Sequence, residues 1–206
     1  MKELFPEIFE KNSKILTINN GKERIWDPYH SKASAAIKKG LKQFPIKKNS
    51  KVLYLGIADG TTASHLSDII ETGIILGVDI SQRPFNKLLK LCEERKNIIP
   101  VLADANKPEE YSEYLEEIGK VDVVYQDLAQ KTQADILIKN AKLFLKKNGY
   151  ILYMVKALSI DVTKKPSEVF KQEIKKLENQ GFEILETVSL EPFEKGHACI
   201  LAQLRQ

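Results

Sequence analysis

Four short apolar segments of this chain each run into residues able to bind a polar ligand. Segment 52–55 leads into Gly56-Ile57-Ala58-Asp59-Gly60-Thr61-Thr62, segment 74–78 into Asp79, segment 99–102 into Asp104-Ala105, and segment 121–125 into Asp127-Leu128-Ala129-Gln130. A glycine turn lets the main chain approach a ligand closely, and the helix start behind it offers unpaired N–H groups to a carboxylate or phosphate. Thr61 and Thr62 are placed to cap that helix. The run has two glycines where the dinucleotide fingerprint has three, so it suits the amino-acid end of a ligand better than a pyrophosphate and argues against a nicotinamide-linked oxidoreductase. Asp79 follows Gly56 by 23 residues, near the offset at which a carboxylate accepts both hydroxyls of an adenosine ribose. Taken singly, each of these is a tight turn or a helix cap. Four in succession at the carboxyl ends of strands describe a ligand cleft, because open parallel sheets bind at that edge.

The elements that must position these residues are legible from periodicity. Seven segments rich in β-branched and apolar residues, 52–55, 74–78, 99–102, 121–125, 150–155, 182–188 and 198–204, read as strands. Helical patterns separate the first six; Ala134, Leu137, Ile138, Ala141, Phe144 and Leu145 form the clearest core-facing stripe. Strand and helix in alternation imply a parallel sheet. Only residues 189–196 join the last two strands, too short a link for a helical crossover, so the seventh strand is expected to run antiparallel beside the sixth. This α/β arrangement is the sheet plan of the Rossmann-like class I methyltransferases. Ahead of it, residues 1–30 read as a small β-rich subdomain with an Asn19-Asn20-Gly21 turn, and Ser31 opens a helix through Leu41 with Ala33, Ala36 and Ile37 on one face. Residues 31–206 are then the main domain.

Composition narrows the class without choosing a chemistry. With 43% hydrophobic and 29% charged residues and a net charge of +4, the chain is neither disordered nor fibrous. Its lysine clusters, such as Lys38, Lys39 and Lys42, read as solvated helix faces. No apolar run approaches the roughly 18 to 20 residues of a membrane span, and residues 1–10 lack the layout of a secretory signal, so a cytosolic protein without a membrane partner is expected. Cys92 and Cys199 lie far apart outside any metal-ligand spacing; no metal site is expected, and both read as small buried hydrophobes.

Taken together, several of these runs resemble fibrillarin in its archaeal, fibrillarin-like form. They are Gly56 to Thr62, the stretch Glu93-Glu94-Arg95-Lys96-Asn97-Ile98-Ile99-Pro100-Val101, Asp104-Ala105-Asn106-Lys107-Pro108-Glu109-Glu110-Tyr111 and Asp127 to Gln130. Val155-Lys156 with Ser159-Ile160-Asp161-Val162-Thr163, the closing Leu190-Glu191-Pro192-Phe193-Glu194-Lys195-Gly196-His197-Ala198, and Trp26-Asp27-Pro28-Tyr29 with Ser31-Lys32 extend the match over nearly the whole chain. The resemblance implies an S-adenosyl-L-methionine-dependent RNA ribose 2′-O-methyltransferase, the catalytic subunit of a box C/D guide RNP acting on pre-rRNA and tRNA. Its implied partners are a Nop-domain scaffold protein, an L7Ae-type RNA-binding protein and the guide RNA, which selects the target by base pairing. Carried over, Gly56, Thr61 and Thr62 hold the methionine end, Asp79 and Ile80 the ribose, Asp104 and Ala105 the adenine, and Asp127, Leu128, Ala129 and Gln130 surround the sulfonium. The family pattern also points to Lys32, Asp127, Lys156 and His197 as a catalytic group. Ile57 and Asp59 depart from it where small residues are usual, Asp79-Ile80 stands for a common Glu-Phe, and His30 for a common Arg.

The chemistry such a group must perform is limited. A methyl on a sulfonium is already electrophilic, whereas a ribose 2′-hydroxyl is a poor nucleophile at neutral pH, so the protein must align and deprotonate. Lys156 is expected to act as the base, with Lys32 as a neighbouring cation easing its proton loss, Asp127 orienting it, and His197 hydrogen-bonding it or relaying the proton. Two other readings share the same cleft. A small-molecule methyltransferase would use the same cofactor residues but calls for a lid insertion, which the sequence lacks; a non-catalytic assembly subunit of the RNP would not need both Asp127 and Lys156.

Overall fold

A computed structural model describes residues 1–205. The chain opens with an antiparallel meander, β1 (Lys2–Phe5), β2 (Ile8–Lys11), β3 (Lys14–Asn19) and β4 (Lys22–Ile25), paired in chain order. Asn20 and Gly21 make the two-residue turn between β3 and β4, both at positive φ (49° and 74°), as the twist of a tight hairpin requires. α1 (Lys32–Lys38) then crosses to the main sheet. It is shorter than the expected 31–41 helix: Gly40 stands at φ 91° and its N–H turns back to the Ile37 carbonyl.

The main domain alternates β5 (Lys51–Leu55), α2 (Thr61–Ile69), β6 (Ile74–Asp79), α3 (Gln82–Glu94), β7 (Ile98–Leu102), a 3₁₀ turn Pro108–Tyr111 with α4 (Ser112–Ile118), β8 (Val121–Gln126), α5 (Gln133–Phe144) and β9 (Leu145–Lys156). α6 (Ala157–Ile160), α7 (Pro166–Asn179), β10 (Phe182–Ser189) and β11 (His197–Leu204) complete it. The seven strands are ordered β10-β11-β9-β8-β5-β6-β7. β11 is antiparallel to both of its neighbours and the other neighbouring pairs are parallel. The last strand therefore inserts between β9 and β10 rather than joining the edge. This insertion sets His197 opposite Lys156 in register.

Period-two alternation sends the strands' side chains into two cores. Val52, Tyr54, Ile75, Val123, Tyr125 and Met154 pack with α1, α2 and α3, and with Ile8, Ile15 and Trp26 of the N-terminal segment. Leu53, Leu55, Leu76, Val124, Ile151 and Tyr153 pack on the other face with α4, α5 and α7. One core thus runs from the main sheet into the small one. A buried polar cluster reinforces that joint: the Asp68 carboxylate on α2 accepts the Thr17 hydroxyl at 2.7 Å and pairs with Arg24 and Arg95. Thr17 has one hydroxyl proton and gives it to Asp68, so its oxygen accepts from His65 Nδ1–H at 2.8 Å, which sets the tautomer of this buried ring. His65 stacks on Trp26 with ring centroids 5.2 Å apart. Cys199 is buried as expected, but Cys92 is only half-buried, since α3 turns the flank carrying it partly to solvent.

Candidate active site

The loops at the carboxyl ends of β5, β6, β7 and β8 meet at one edge of the sheet, tied together by main-chain contacts. The Gly56 N–H donates to the Val78 carbonyl at 2.8 Å and the Asp127 N–H to the Leu55 carbonyl at 2.9 Å, so these strand ends are held at fixed separation. Gly56 is required here: at φ 82°, a Cβ on it would lie 2.4 Å from the Asp127 carbonyl oxygen and 2.8 Å from Leu128 Cδ2. The bulky Ile57 does not enter the cleft. It is buried against Gly77 of β6, where a Cβ would sit 2.2 Å from Ile57 Cδ1.

The threonines do not cap α2. Gly60 occupies the N-cap position, and the Asp59 carboxylate accepts the Thr61 N–H and hydroxyl at 3.2 and 2.9 Å, while Thr62 shares a 2.9 Å hydrogen bond with Ser31. The aspartate in place of a small residue thus takes over the turn, and Thr61 and Thr62 lie in the helix's first turn. Asp79 accepts the Ala58 N–H through Oδ2 and the Ser81 N–H through Oδ1, both at 2.8 Å. It therefore anchors the glycine loop to the end of β6.

Val78, Asp79, Ile80, Ala103, Asp104, Ala105, Asn106, Leu128, Gln130 and Ile136 line a slot of about 290 Å³ including its open mouth. Roomier clefts exist, such as one of about 1080 Å³, likewise including its open mouth, between Lys47, Lys146 and Tyr150, but the slot is where the strand-end carboxylates and free main-chain groups meet. Ile80 is 59% exposed and forms part of its rim, while Ala129 is exposed beside it. In the loop after β7, Asp104 Oδ1 accepts from Asn106, and Lys107 N–H donates to the Asp104 carbonyl at 2.8 Å. Among the described residues no group pairs with the Ala105 N–H or with Asp104 Oδ2.

Next to the slot, four elements bring charged groups together. Lys32 Nζ from α1 lies 3.1 Å from Asp127 Oδ2, and Lys156 Nζ at the end of β9 lies 3.2 Å from Asp127 Oδ1. The first contact is a hydrogen bond; the second is an ion pair by distance alone, which leaves Oδ1 without a hydrogen-bond donor. All three side chains are largely buried, at 13%, 15% and 21% exposed for Lys32, Asp127 and Lys156. Glu194, which the sequence reading did not single out as a site residue, adds a second carboxylate 3.8 Å from Lys32 and 3.9 Å from His197 Nδ1. His197 does not hydrogen-bond Lys156: its Nδ1 lies 2.8 Å from the Lys195 carbonyl oxygen, which can only accept. Beneath the cluster, Tyr54 and Tyr125 pack with ring centroids 4.4 Å apart. Burial foremost, with the Asp127 charge adding to it, pushes both phenols far up, so neither competes as a base.

Gln133 is a further residue that sequence reasoning passed over. Its buried side-chain amide accepts the Lys156 N–H at 3.1 Å and donates to the Lys156 carbonyl at 3.2 Å, while Gln126, which precedes Asp127, donates to the Gln133 carbonyl at 2.8 Å. Two glutamines thus tie the main chain at Lys156 to the strand end that carries Asp127. Its signal in the sequence was weak, a polar residue on the otherwise apolar stripe of α5.

A central parallel sheet with an antiparallel seventh strand inserted beside β9, and a cleft of strand-end acids, defines the class I methyltransferase fold. The chain belongs to the fibrillarin family, whose sequence model matches residues 2–206. It is 54% identical over 186 residues to a fibrillarin-like rRNA/tRNA 2′-O-methyltransferase of Methanocaldococcus jannaschii, spanning 90% of this chain and 80% of that one. A fibrillarin solved in complex with Nop5p is 43% identical and superposes with a TM-score of 0.91 over 100% of both chains. Aeropyrum pernix fibrillarin, solved with natively bound S-adenosyl-L-methionine, is 46% identical with a TM-score of 0.79, over 98% of this chain and 86% of that one.

Proposed function

We infer that this chain transfers a methyl group from S-adenosyl-L-methionine to a ribose 2′-hydroxyl of rRNA or tRNA. The observation that carries this reading is the Lys32–Asp127–Lys156 cluster, largely buried and adjoining a slot with the polar pattern of an adenosine site. The residues present fit that cofactor. An adenine edge needs one donor and one acceptor, and the unpaired Ala105 N–H and Asp104 Oδ2 supply them. Asp79 retains lone pairs for ribose hydroxyls beyond the two main-chain N–H groups it accepts. Thr61 and Thr62 stand at the α2 N-terminus, where a methionine carboxylate is favoured, and the Asp127–Gln130 loop would hold the sulfonium end.

When bound, the cofactor supplies an activated methyl group, and the chain's own task is to position and deprotonate the hydroxyl. Lys156, held through its main chain by Gln133, takes the 2′-hydroxyl proton on Nζ in its neutral form. Asp127 aligns that amine and would offset the positive charge of the bound cofactor, while Lys32 remains the hydrogen-bonded counter-ion of Asp127. Glu194 and His197 close the cluster on the side of β11. A Nop-domain scaffold is the expected protein partner, supported by the Nop5p complex of the relative with the same fold. An L7Ae-type protein and a box C/D guide RNA complete the proposed particle, because a net charge of +4 offers little RNA affinity or selection by itself.

The test is methyl transfer from labelled cofactor to an RNA substrate, with and without a reconstituted guide RNP. Transfer should depend on the particle, and Lys156→Ala should lower kcat by a factor on the order of 10² to 10⁴ with cofactor affinity retained. Joint loss of binding and turnover would place Lys156 in the cofactor site or the fold instead, and efficient site-specific transfer by the chain alone would overturn the RNP reading.

A further inference from the structure

We propose that Asn140 and Tyr111, which do not line the slot, act as a buried latch that sets its preference for adenine over other purines. The proposal rests on the adenosine-cofactor reading above and adds to it two positioning residues. Both side chains have no exposed surface. Asn140 Nδ2, on α5, donates to the Ala105 carbonyl at 3.0 Å and to the Ile136 carbonyl at 2.9 Å, while its Oδ1 accepts the Tyr111 hydroxyl. All the polar groups of the amide are thereby used, and it cannot flip without setting Oδ1 against two carbonyl oxygens. The Tyr111 hydroxyl oxygen also lies 3.4 Å from the Ala105 carbonyl, so both latch residues converge on one peptide group.

This fixes the geometry of the reading loop. The peptide plane before the Ala105 Cα is held by the Lys107 N–H on the Asp104 carbonyl at 2.8 Å, and the plane after it by the Asn140 amide. On the slot side Asp104 Oδ1 is occupied by Asn106, and the Asn106 carbonyl accepts Lys139 Nζ at 2.8 Å. The Ala105 N–H and Asp104 Oδ2 are what remain. Adenine offers an acceptor at N1 and a donor at N6 on the same edge, and pairs with both. Hypoxanthine carries a donor at N1 and an acceptor at O6, so it would set donor against donor and acceptor against acceptor. Rotation of the Ala105 peptides is the adjustment that would relieve this mismatch, and the latch opposes it. A site that enforces its hydrogen-bond pattern in this way rejects the mismatched analogue because buried polar groups are left unpaired.

Calorimetry on the intact chain with S-adenosylhomocysteine and with its inosine counterpart tests the idea without reference to turnover. The wild-type chain should prefer the adenosine compound by a factor on the order of 10² or more. Asn140→Ala, which removes all three hydrogen bonds of the amide, should narrow that preference roughly ten-fold, and Tyr111→Phe, which removes only the hydroxyl, about three-fold. An unchanged preference in either folded variant, even with both affinities lowered together, means the pair only supports the fold and overturns the proposal. Tyr111→Phe decides alone if the asparagine variant does not fold, since it removes a single oxygen. A wild-type chain that binds neither compound overturns the cofactor reading itself, a distinct result from binding without discrimination.

Discussion

Replacing Gly56 by alanine separates two costs that usually come together. The first is conformational: at φ 82° an L-residue is strained by roughly 1 to 2 kcal/mol. The second is contact, because the new Cβ would lie 2.4 Å from the Asp127 carbonyl oxygen, whereas real Cβ contacts essentially never fall below 3.0 Å. The main chain at Asp127 must then retreat by at least about 0.6 Å, the difference between those distances. Asp127 carries the carboxylate shared by Lys32 and Lys156, so the shift passes straight into the proposed catalytic group. A misplacement on the order of 1 Å at reacting groups costs up to about 10²-fold in rate. Gly181→Ala is the matched control: its φ is 88°, and nothing lies within 4 Å of its added Cβ. Both variants should lose stability from strain, by thermal unfolding, and Gly56→Ala more than the control because of the added contact. Only Gly56→Ala should also lose methyl transfer in the reconstituted particle, by roughly ten- to a hundred-fold. Transfer by Gly56→Ala within two-fold of the control would refute the view that this close approach positions Asp127.

Asp79→Ala should weaken cofactor affinity by roughly 10- to 150-fold, through lost ribose contacts and a loosened Ala58 loop; calorimetry checks this, and unchanged affinity would remove Asp79 from the site. Gln133→Met keeps the length of the side chain but releases both main-chain hydrogen bonds at Lys156, so kcat should fall on the order of ten-fold with cofactor affinity unchanged. Burial, and next the nearby Arg24 charge, hold His65 down at about 4, against about 6.5 in an unfolded chain. The folded state resists this protonation, so the contribution is complete above about pH 6.5 and is lost as pH falls through about 4, on the order of 3 kcal/mol in all. Urea unfolding between pH 7.5 and 4.5 should show this slope in the wild type and a shallower one in His65→Gln; equal slopes would contradict it.

Local pattern by itself determined much of this protein. Runs of β-branched and apolar residues marked all seven strands of the main sheet, and the Ala134–Phe144 stripe marked the face of α5, because a strand covered on both faces is apolar throughout whereas a helix buries one periodic set of side chains. The strand-end residues Gly56, Asp79, Asp104 and Asp127 could be read as one cleft because parallel strands bring their carboxyl ends to a single edge. Tertiary structure decided what depends on residues remote in the chain. The insertion of β11 between β9 and β10 is set by packing of the whole sheet, and it alone brings His197 beside Lys156 and Glu194 beside Lys32. Threonine capping of α2 was a sound local expectation, yet Asp59 and Ser31 took the two hydroxyls in competition with it. Gln133 carries only a weak signal and Asn140 none of its own, since a polar residue in a helix is ordinarily a solvated one. Their parts follow only when folding buries them against the main chain of Lys156 and Ala105, where an unpaired carbonyl or N–H would be costly.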